Sequence, residues 1–153
     1  MEQIKLVKPA FMWLIVLLGV IPSLVFINWQ KMFVGNVWNF VLFFLIIIYW
    51  LYVFISAWQV HCQAIRNAAE IDKIISIGIY ARMRHPMYSG DIILAWGFFI
   101  CFPYTAVLVG IMWLSFVLIF WAKLEEKALL KKFGNEYVKY QSQTPMFIPR
   151  FKK

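Results

Sequence analysis

Residues 92–122 read IILAWGFFICFPYTAVLVGIMWLSFVLIFWA, 31 positions without a single Asp, Glu, Lys or Arg. A membrane-spanning helix needs about 20 apolar residues, so this run is too long for one comfortable helix. It is interrupted at Phe102-Pro103-Tyr104, where proline has no N–H to offer and clashes with the preceding turn. The run therefore predicts a tight hairpin with arms over Met87–Phe102 and Tyr104–Trp121. At 1.5 Å per residue such arms reach about 24–27 Å, just short of the ~30 Å hydrocarbon core.

Two further uncharged runs lie upstream, 22 residues from Pro9 to Gln30 and 34 from Met32 to Ile65. They predict spanning helices over Ala10–Ile27, kinked at Pro22, and over Val37–Trp58. The composition agrees: the 153 residues are 63% hydrophobic and only 14% charged, against roughly 45–50% and 25% in soluble domains. A soluble chain of this size cannot hide that much apolar surface. Disorder, coiled coil, collagen and disulfide scaffolds are excluded by the same figures. The expected fold is an all-α integral membrane protein with about four transmembrane helices, including a C-terminal helical hairpin, plus a cytoplasmic amphipathic C-terminal helix. It forms one membrane-embedded domain over 1–153: two N-terminal spans in 1–58, a cytoplasmic connection over 59–86, the hairpin over 87–121, and a helix and tail over 122–153.

The net charge of +8 reads first as an orientation signal. Lys5 and Lys8 precede the first helix and Lys31 alone occupies the first loop. Arg66, Lys73, Arg82 and Arg84 fill the second loop, the hairpin turn has none, and eight basic residues follow from Lys123 onward. Basic residues favour the cytoplasmic side, which puts both termini and the 59–86 connection there. Nucleic acid is not expected as a partner, because the basic residues flank apolar runs instead of clustering. The N-terminal helix reads as retained, since no small-residue cleavage site follows it. Cys62 and Cys101 fall near opposite ends of the architecture, which disfavours a disulfide.

Two polar clusters stand out, GIYARMRHPMYSGD over Gly78–Asp91 and LEEKALLKKFGNEYVKY over Leu124–Tyr140. The hairpin's return brings them to one membrane face. Pro86 suits the first turn of a helix, and His85 before it is biased to extended backbone. The free N–H groups of that turn, formed by Tyr88, Ser89 and Gly90, favour an anionic group, and Arg84 adds a fork-shaped donor. The bland alternative is that Arg82, Arg84 and His85 touch lipid phosphates. Glu125 and Glu126 point about 100° apart on a helix, so one can turn inward to Arg84 and His85, as a structural ion pair or to hold an ammonium or hydroxyl. A solvated charge run is the competing reading. Asp91, so near the apolar region, must be paired or wet; it is either a partner of Arg82 or Arg84 or part of a site.

Further on, Lys127, Lys131, Lys132 and Lys139 make a basic surface helix suited to anionic headgroups. Phe133-Gly134 reads as its stop and Asn135 as the cap of a short following helix. Pro145 and Pro149 keep the tail extended, with Met146, Phe147 and Ile148 either packing back on the bundle, the default, or dipping into lipid. With only His61 and His85 and no H-E-x-x-H or C-x-x-C spacing, no metal site is expected. His61-Cys62 reads as interfacial packing, and no P-loop, dinucleotide fingerprint or nucleophile elbow occurs.

The motifs Gly78-Ile79-Tyr80, Arg84-His85-Pro86-Met87-Tyr88-Ser89-Gly90, Glu125-Glu126, Phe133-Gly134-Asn135-Glu136-Tyr137, Tyr140 and Phe147-Ile148-Pro149, in that order around a hairpin, resemble the isoprenylcysteine carboxyl methyltransferase family within the phospholipid methyltransferase superfamily. The resemblance spans roughly residues 76–149. It implies S-adenosylmethionine as methyl donor, with Tyr80, Arg84, His85, Tyr88, Gly90, Glu125 and Glu126 around it. It also implies a lipophilic acceptor entering from the bilayer, membrane lipids as neighbours, and no metal. A carboxyl acceptor, as in isoprenylcysteine, is the first expectation, and a phospholipid amine the second. An ionised carboxylate needs no general base, so no catalytic base is assigned. A non-catalytic membrane scaffold is the competing class, and a nicotinamide-dependent reductase is disfavoured by the small size. Ser76, where the family often has Thr, and the polar Asp91 depart from the family pattern.

Overall fold

The computed structural model describes residues 9–60 and 73–150. Among these the chain forms five α-helices and one short 3₁₀ turn. They are α1 (Pro9–Phe26), α2 (Val37–Val60), the 3₁₀ turn (Gly78–Ala81), α3 (Pro86–Cys101), α4 (Thr105–Phe133) and α5 (Asn135–Gln143). The expectations on Lys5, Lys8, His61, Cys62, Arg66, Lys152 and Lys153 lie outside the described residues.

Three helices, α1, α2 and α4, are long and apolar enough to cross a membrane. The 16 residues of α3 reach only about 24 Å. Large apolar side chains face outward in mid-helix, Leu18 at 65% and Phe44 at 63% exposed. That pattern fits hydrocarbon around the bundle and not water. The protein is an all-α integral membrane protein.

The second arm of the hairpin is longer than the sequence suggests. Instead of ending near Trp121, α4 runs unbroken for 29 residues to Phe133, about 43 Å. The charges that begin at Lys123 mark where the helix leaves the apolar zone, but Lys, Glu, Leu and Ala all favour helix, so nothing breaks it. The stop comes at Gly134, where φ is +54°, a conformation glycine takes without strain. Gly134, not Asn135, is the N-cap of α5. The basic residues Lys127, Lys131 and Lys132 therefore belong to the far end of a spanning helix and not to a separate surface helix.

Lateral packing follows the order α1, α4, α3, α2. Small residues permit each close approach, as is common where lipid supplies no hydrophobic drive between helices. Gly19 of α1 lies beneath the Trp113 ring of α4, and that indole N–H donates to the Ile15 carbonyl at 3.0 Å. Met12, Val16, Val117, Leu118 and Trp121 complete this contact. On the other side Gly97 faces Ile46 and Phe43 of α2, while Val53 and Ala57 pack on Ile79, Tyr80 and Met83. At the hairpin end the first loop clamps the turn, with Met32 N–H on the Pro103 carbonyl at 2.7 Å and Thr105 N–H on the Gln30 carbonyl at 3.0 Å.

Candidate functional site

The opposite end of the bundle collects the polar residues. Gly78, with φ at +59°, lets the chain turn tightly against Val60, where a Cβ would stand 2.5 Å from Val60 Cγ2. The 3₁₀ turn that follows buries Ile79 and Tyr80. Pro86 then opens α3 as its first residue, with His85 as N-cap. The tail runs alongside this segment. Arg84 N–H donates to the Pro145 carbonyl (2.9 Å), His85 N–H to Met146 (3.0 Å) and Arg150 N–H to Arg82 (3.0 Å). The Ser89 hydroxyl donates to the Phe147 carbonyl at 2.9 Å. Pro145 and Pro149 leave the tail's carbonyls free for these bonds, so Met146 and Phe147 pack back on the bundle, while Ile148 is turned outward at 79% exposure.

The return of α4 brings both glutamates to this corner, and the two do different things. Glu126 accepts from Arg84 Nε at 2.7 Å and Nη2 at 3.3 Å, and from Gln141 Nε2 at 3.0 Å; His85 Nε2 lies 3.1 Å away. Arg84 Nη1 donates to the carbonyls of Gln141 and Thr144. Glu126 and Arg84 thus satisfy each other and tie α4 to α5 and the tail. Glu125 accepts from the Tyr88 hydroxyl at 2.6 Å through Oε1, and its Oε2 lies 3.8 Å from His85 Nδ1. The second distance is too long for a hydrogen bond, so Oε2 keeps acceptor capacity.

Glu125 also forms part of the wall of a cavity of about 160 Å³. Tyr80, Arg84, His85 and Tyr88 line it as well, together with Asp91, Tyr137, Tyr140, Leu129 and the start of α1 at Pro9, Met12 and Trp13. Two of the residues implied by the resemblance stand elsewhere. Glu126 is behind the wall, with Arg84. Gly90 faces α2, where a Cβ would meet Trp50 Cδ1 at 3.2 Å; it serves helix packing and does not touch the cavity. Asp91 partners neither Arg82 nor Arg84: it accepts from the Trp50 indole at 2.9 Å.

Four tyrosines give the cavity its character. The Tyr140 hydroxyl donates to the Tyr80 carbonyl at 2.6 Å. Burial pushes the phenols of Tyr80, Tyr137 and Tyr140 well above the usual value, with further upward pressure on Tyr80 from Glu125 and on Tyr137 from Glu126. These three phenols stay protonated and offer neutral rings and O–H donors. Tyr137 and Tyr140 were not expected in the site, although their i, i+3 spacing on an amphipathic helix puts them on one face. The contribution of α1 had no such signal, because that helix is apolar all round.

The site can therefore take a molecule with a positive or hydroxyl-bearing part near Glu125 and an apolar part against aromatic rings. No group of three His, Cys, Asp or Glu among the described residues could hold a metal ion.

Over 88 residues the chain is 32% identical to protein-S-isoprenylcysteine O-methyltransferase B of Arabidopsis thaliana, a match that takes in 52% of this chain and 41% of the relative. The chain thus spans about two-fifths of that relative's length. Residues 40–136 match the family model described as phospholipid methyltransferase. That match covers most of α2, all of α3 and α4 and the first two residues of α5, more than half of the chain, so this chain belongs to the phospholipid methyltransferase family.

Proposed function

We propose that the chain transfers a methyl group from S-adenosylmethionine to a lipid-tailed acceptor that reaches the cavity from the bilayer. The observation that carries this reading is Glu125, a carboxylate with one oxygen held by Tyr88 and the other without a hydrogen bond among the described residues, in the wall of an aromatic cavity. The donor set suits S-adenosylmethionine at its cationic parts. Glu125 would hold the ammonium or ribose hydroxyls, and the faces of Tyr80, Tyr88 and Tyr137 would attract the sulfonium. Its carboxylate would be left to His85 and the peptide N–H groups opening α3, because Arg84 is committed to Glu126.

The bound donor would supply an electrophilic methyl for in-line displacement. The chain's own residues orient it and exclude water, and positioning of this kind can supply several kcal/mol, about 7–11 in the best cases. For the acceptor, the name of the Arabidopsis relative favours a carboxyl oxygen, as in isoprenylcysteine. A second reading, a phospholipid amine, is favoured by Asp91 in the cavity wall. The basic residues at the cavity end, against Lys31 alone among described residues at the hairpin end, favour a cytoplasmic cavity and cytoplasmic termini.

Calorimetry with S-adenosylhomocysteine on the detergent-solubilised chain tests the proposal. Saturable binding that weakens in Glu125→Gln supports it. A folded chain that binds none is a scaffold and not an enzyme.

A further inference from the structure

Asp91 is an acid on α3 five residues past its proline start, about 7.5 Å along the helix. An acid at that depth is unfavourable unless it is paired or wet, and no cation among the described residues forms a salt bridge with it. Its Oδ1 accepts from the Trp50 indole N–H of α2 at 2.9 Å. Its Oδ2 has no hydrogen-bond partner among the described residues, and the residue lines the cavity. Three positions separate it from Tyr88, so both occupy one face of α3, with Asp91 one turn deeper.

The charges around the cavity are unbalanced. Glu125 and Asp91 are both acidic, while the guanidinium of Arg84, the one Lys or Arg among the described lining residues, is taken up by Glu126 and two carbonyls. The other basic side chain in the wall is His85, which lies between the two glutamates, and the four tyrosines carry no charge there. A second carboxylate entering at the depth of Asp91 would meet a like charge where water is scarce, whereas an amine would find an acceptor already oriented by Trp50.

Resting on the second of the two acceptor readings above, a phospholipid amine, we propose that Asp91, held in place by Trp50, sets the acceptor chemistry of this cavity by selecting an amine head over a carboxylate. In the transfer the acceptor nitrogen's lone pair forms the new N–C bond as the donor's C–S bond breaks, with that electron pair staying on sulfur. The nitrogen's lone pair is freed beforehand, when the acceptor ammonium, the form an amine head takes at neutral pH, passes one proton to Asp91 Oδ2. Trp50 is a positioning residue, fixing Asp91 through Oδ1.

The test uses the full chain in lipid nanodiscs containing equal amounts of phosphatidylethanolamine and farnesylated N-acetylcysteine, with S-adenosylmethionine labelled in its methyl group. Methyl esters release volatile methanol under alkali and N-methyl lipids do not. The wild type should give mainly alkali-stable label. Asp91→Asn, which keeps an acceptor for the Trp50 indole, should lower that label by about tenfold or more, the range of a lost charge-assisted contact. The same variant should raise the methyl-ester fraction and leave S-adenosylhomocysteine affinity unchanged by calorimetry. Trp50→Phe should raise KM for the amine lipid more than it lowers kcat. An unchanged product ratio in Asp91→Asn, or a wild type that yields only methyl ester, overturns the inference while leaving methyl transfer intact. A wild type that binds no S-adenosylhomocysteine overturns the methyltransferase reading and this inference with it.

Discussion

Arg84 and Glu126 meet at 2.7 Å with each side chain only 12% exposed, and this pair ties the tail and α5 to the end of α4 through Gln141 and the carbonyls of Gln141 and Thr144. Removing one partner of a buried pair costs about 3–5 kcal/mol, and the residual exposure here brings the expectation to about 2–3 kcal/mol. Glu126→Ala should therefore lower the midpoint of thermal unfolding in detergent clearly. Arg84→Lys should recover little of an Arg84→Ala loss, because an ammonium cannot serve two carboxylate oxygens and two carbonyls at once. A full rescue by lysine would show that charge alone, without the fork geometry, holds this corner.

The neighbouring acid carries the opposite prediction. Glu125→Gln keeps an oxygen for the Tyr88 hydroxyl, so unfolding should shift little. S-adenosylhomocysteine affinity should fall by about 1–3 kcal/mol, the loss expected for a charged hydrogen bond. Titration calorimetry on both glutamate variants, beside their unfolding midpoints, separates the roles. If Glu126→Gln lost affinity and Glu125→Gln did not, the assignment of the two acids would be reversed.

That the two acids diverge was legible from their offset of about 100° on one helix, but which of them meets Arg84 was not. Their separation depends on α5 and the tail, which supply Gln141 and the carbonyls of Gln141 and Thr144 to one side only. The hairpin was legible because Pro103 interrupts an uncharged run, and from the hairpin followed the meeting of the Arg84–His85 corner with the glutamates. The end of α4 was not, because charge marks where a helix leaves the apolar zone and says nothing about where its hydrogen bonding stops. Gly90 misled for a related reason: a glycine beside a motif can serve the motif or the neighbouring helix, and only the approach of Trp50 distinguishes them.

Helix packing gives a prediction whose sign runs against intrinsic propensity. In an exposed helix Gly→Ala stabilises by about 1 kcal/mol. At Gly19 a Cβ would stand 2.1 Å from the Trp113 ring, and the indole cannot yield easily because its N–H is tied to the Ile15 carbonyl. Gly19→Ala should destabilise by about 1–3 kcal/mol, the usual range for overpacking. The double variant Gly19→Ala/Trp113→Phe should be less destabilised than the sum of its single changes. Unfolding midpoints of the three variants check this, and simple additivity would mean the ring and the glycine do not press on each other.

The buried phenols set the behaviour at high pH. Tyr80, Tyr137 and Tyr140 have pKa values raised above the ordinary 10.0 by burial. Below that value both folded and unfolded chains keep these protons, so the three residues add no pH dependence. Above it the unfolded chain gives up protons that the folded chain retains, and stability must fall as pH rises. Unfolding midpoints should therefore be insensitive to these groups up to about pH 10 and then decline. Tyr140→Phe removes one of the three groups and the bond to the Tyr80 carbonyl. It should cost about 1 kcal/mol at neutral pH and make the alkaline decline shallower. A decline of unchanged steepness in Tyr140→Phe would mean that this phenol ionises alike in the folded and unfolded chains, so that its burial against Tyr80 does not hold its proton.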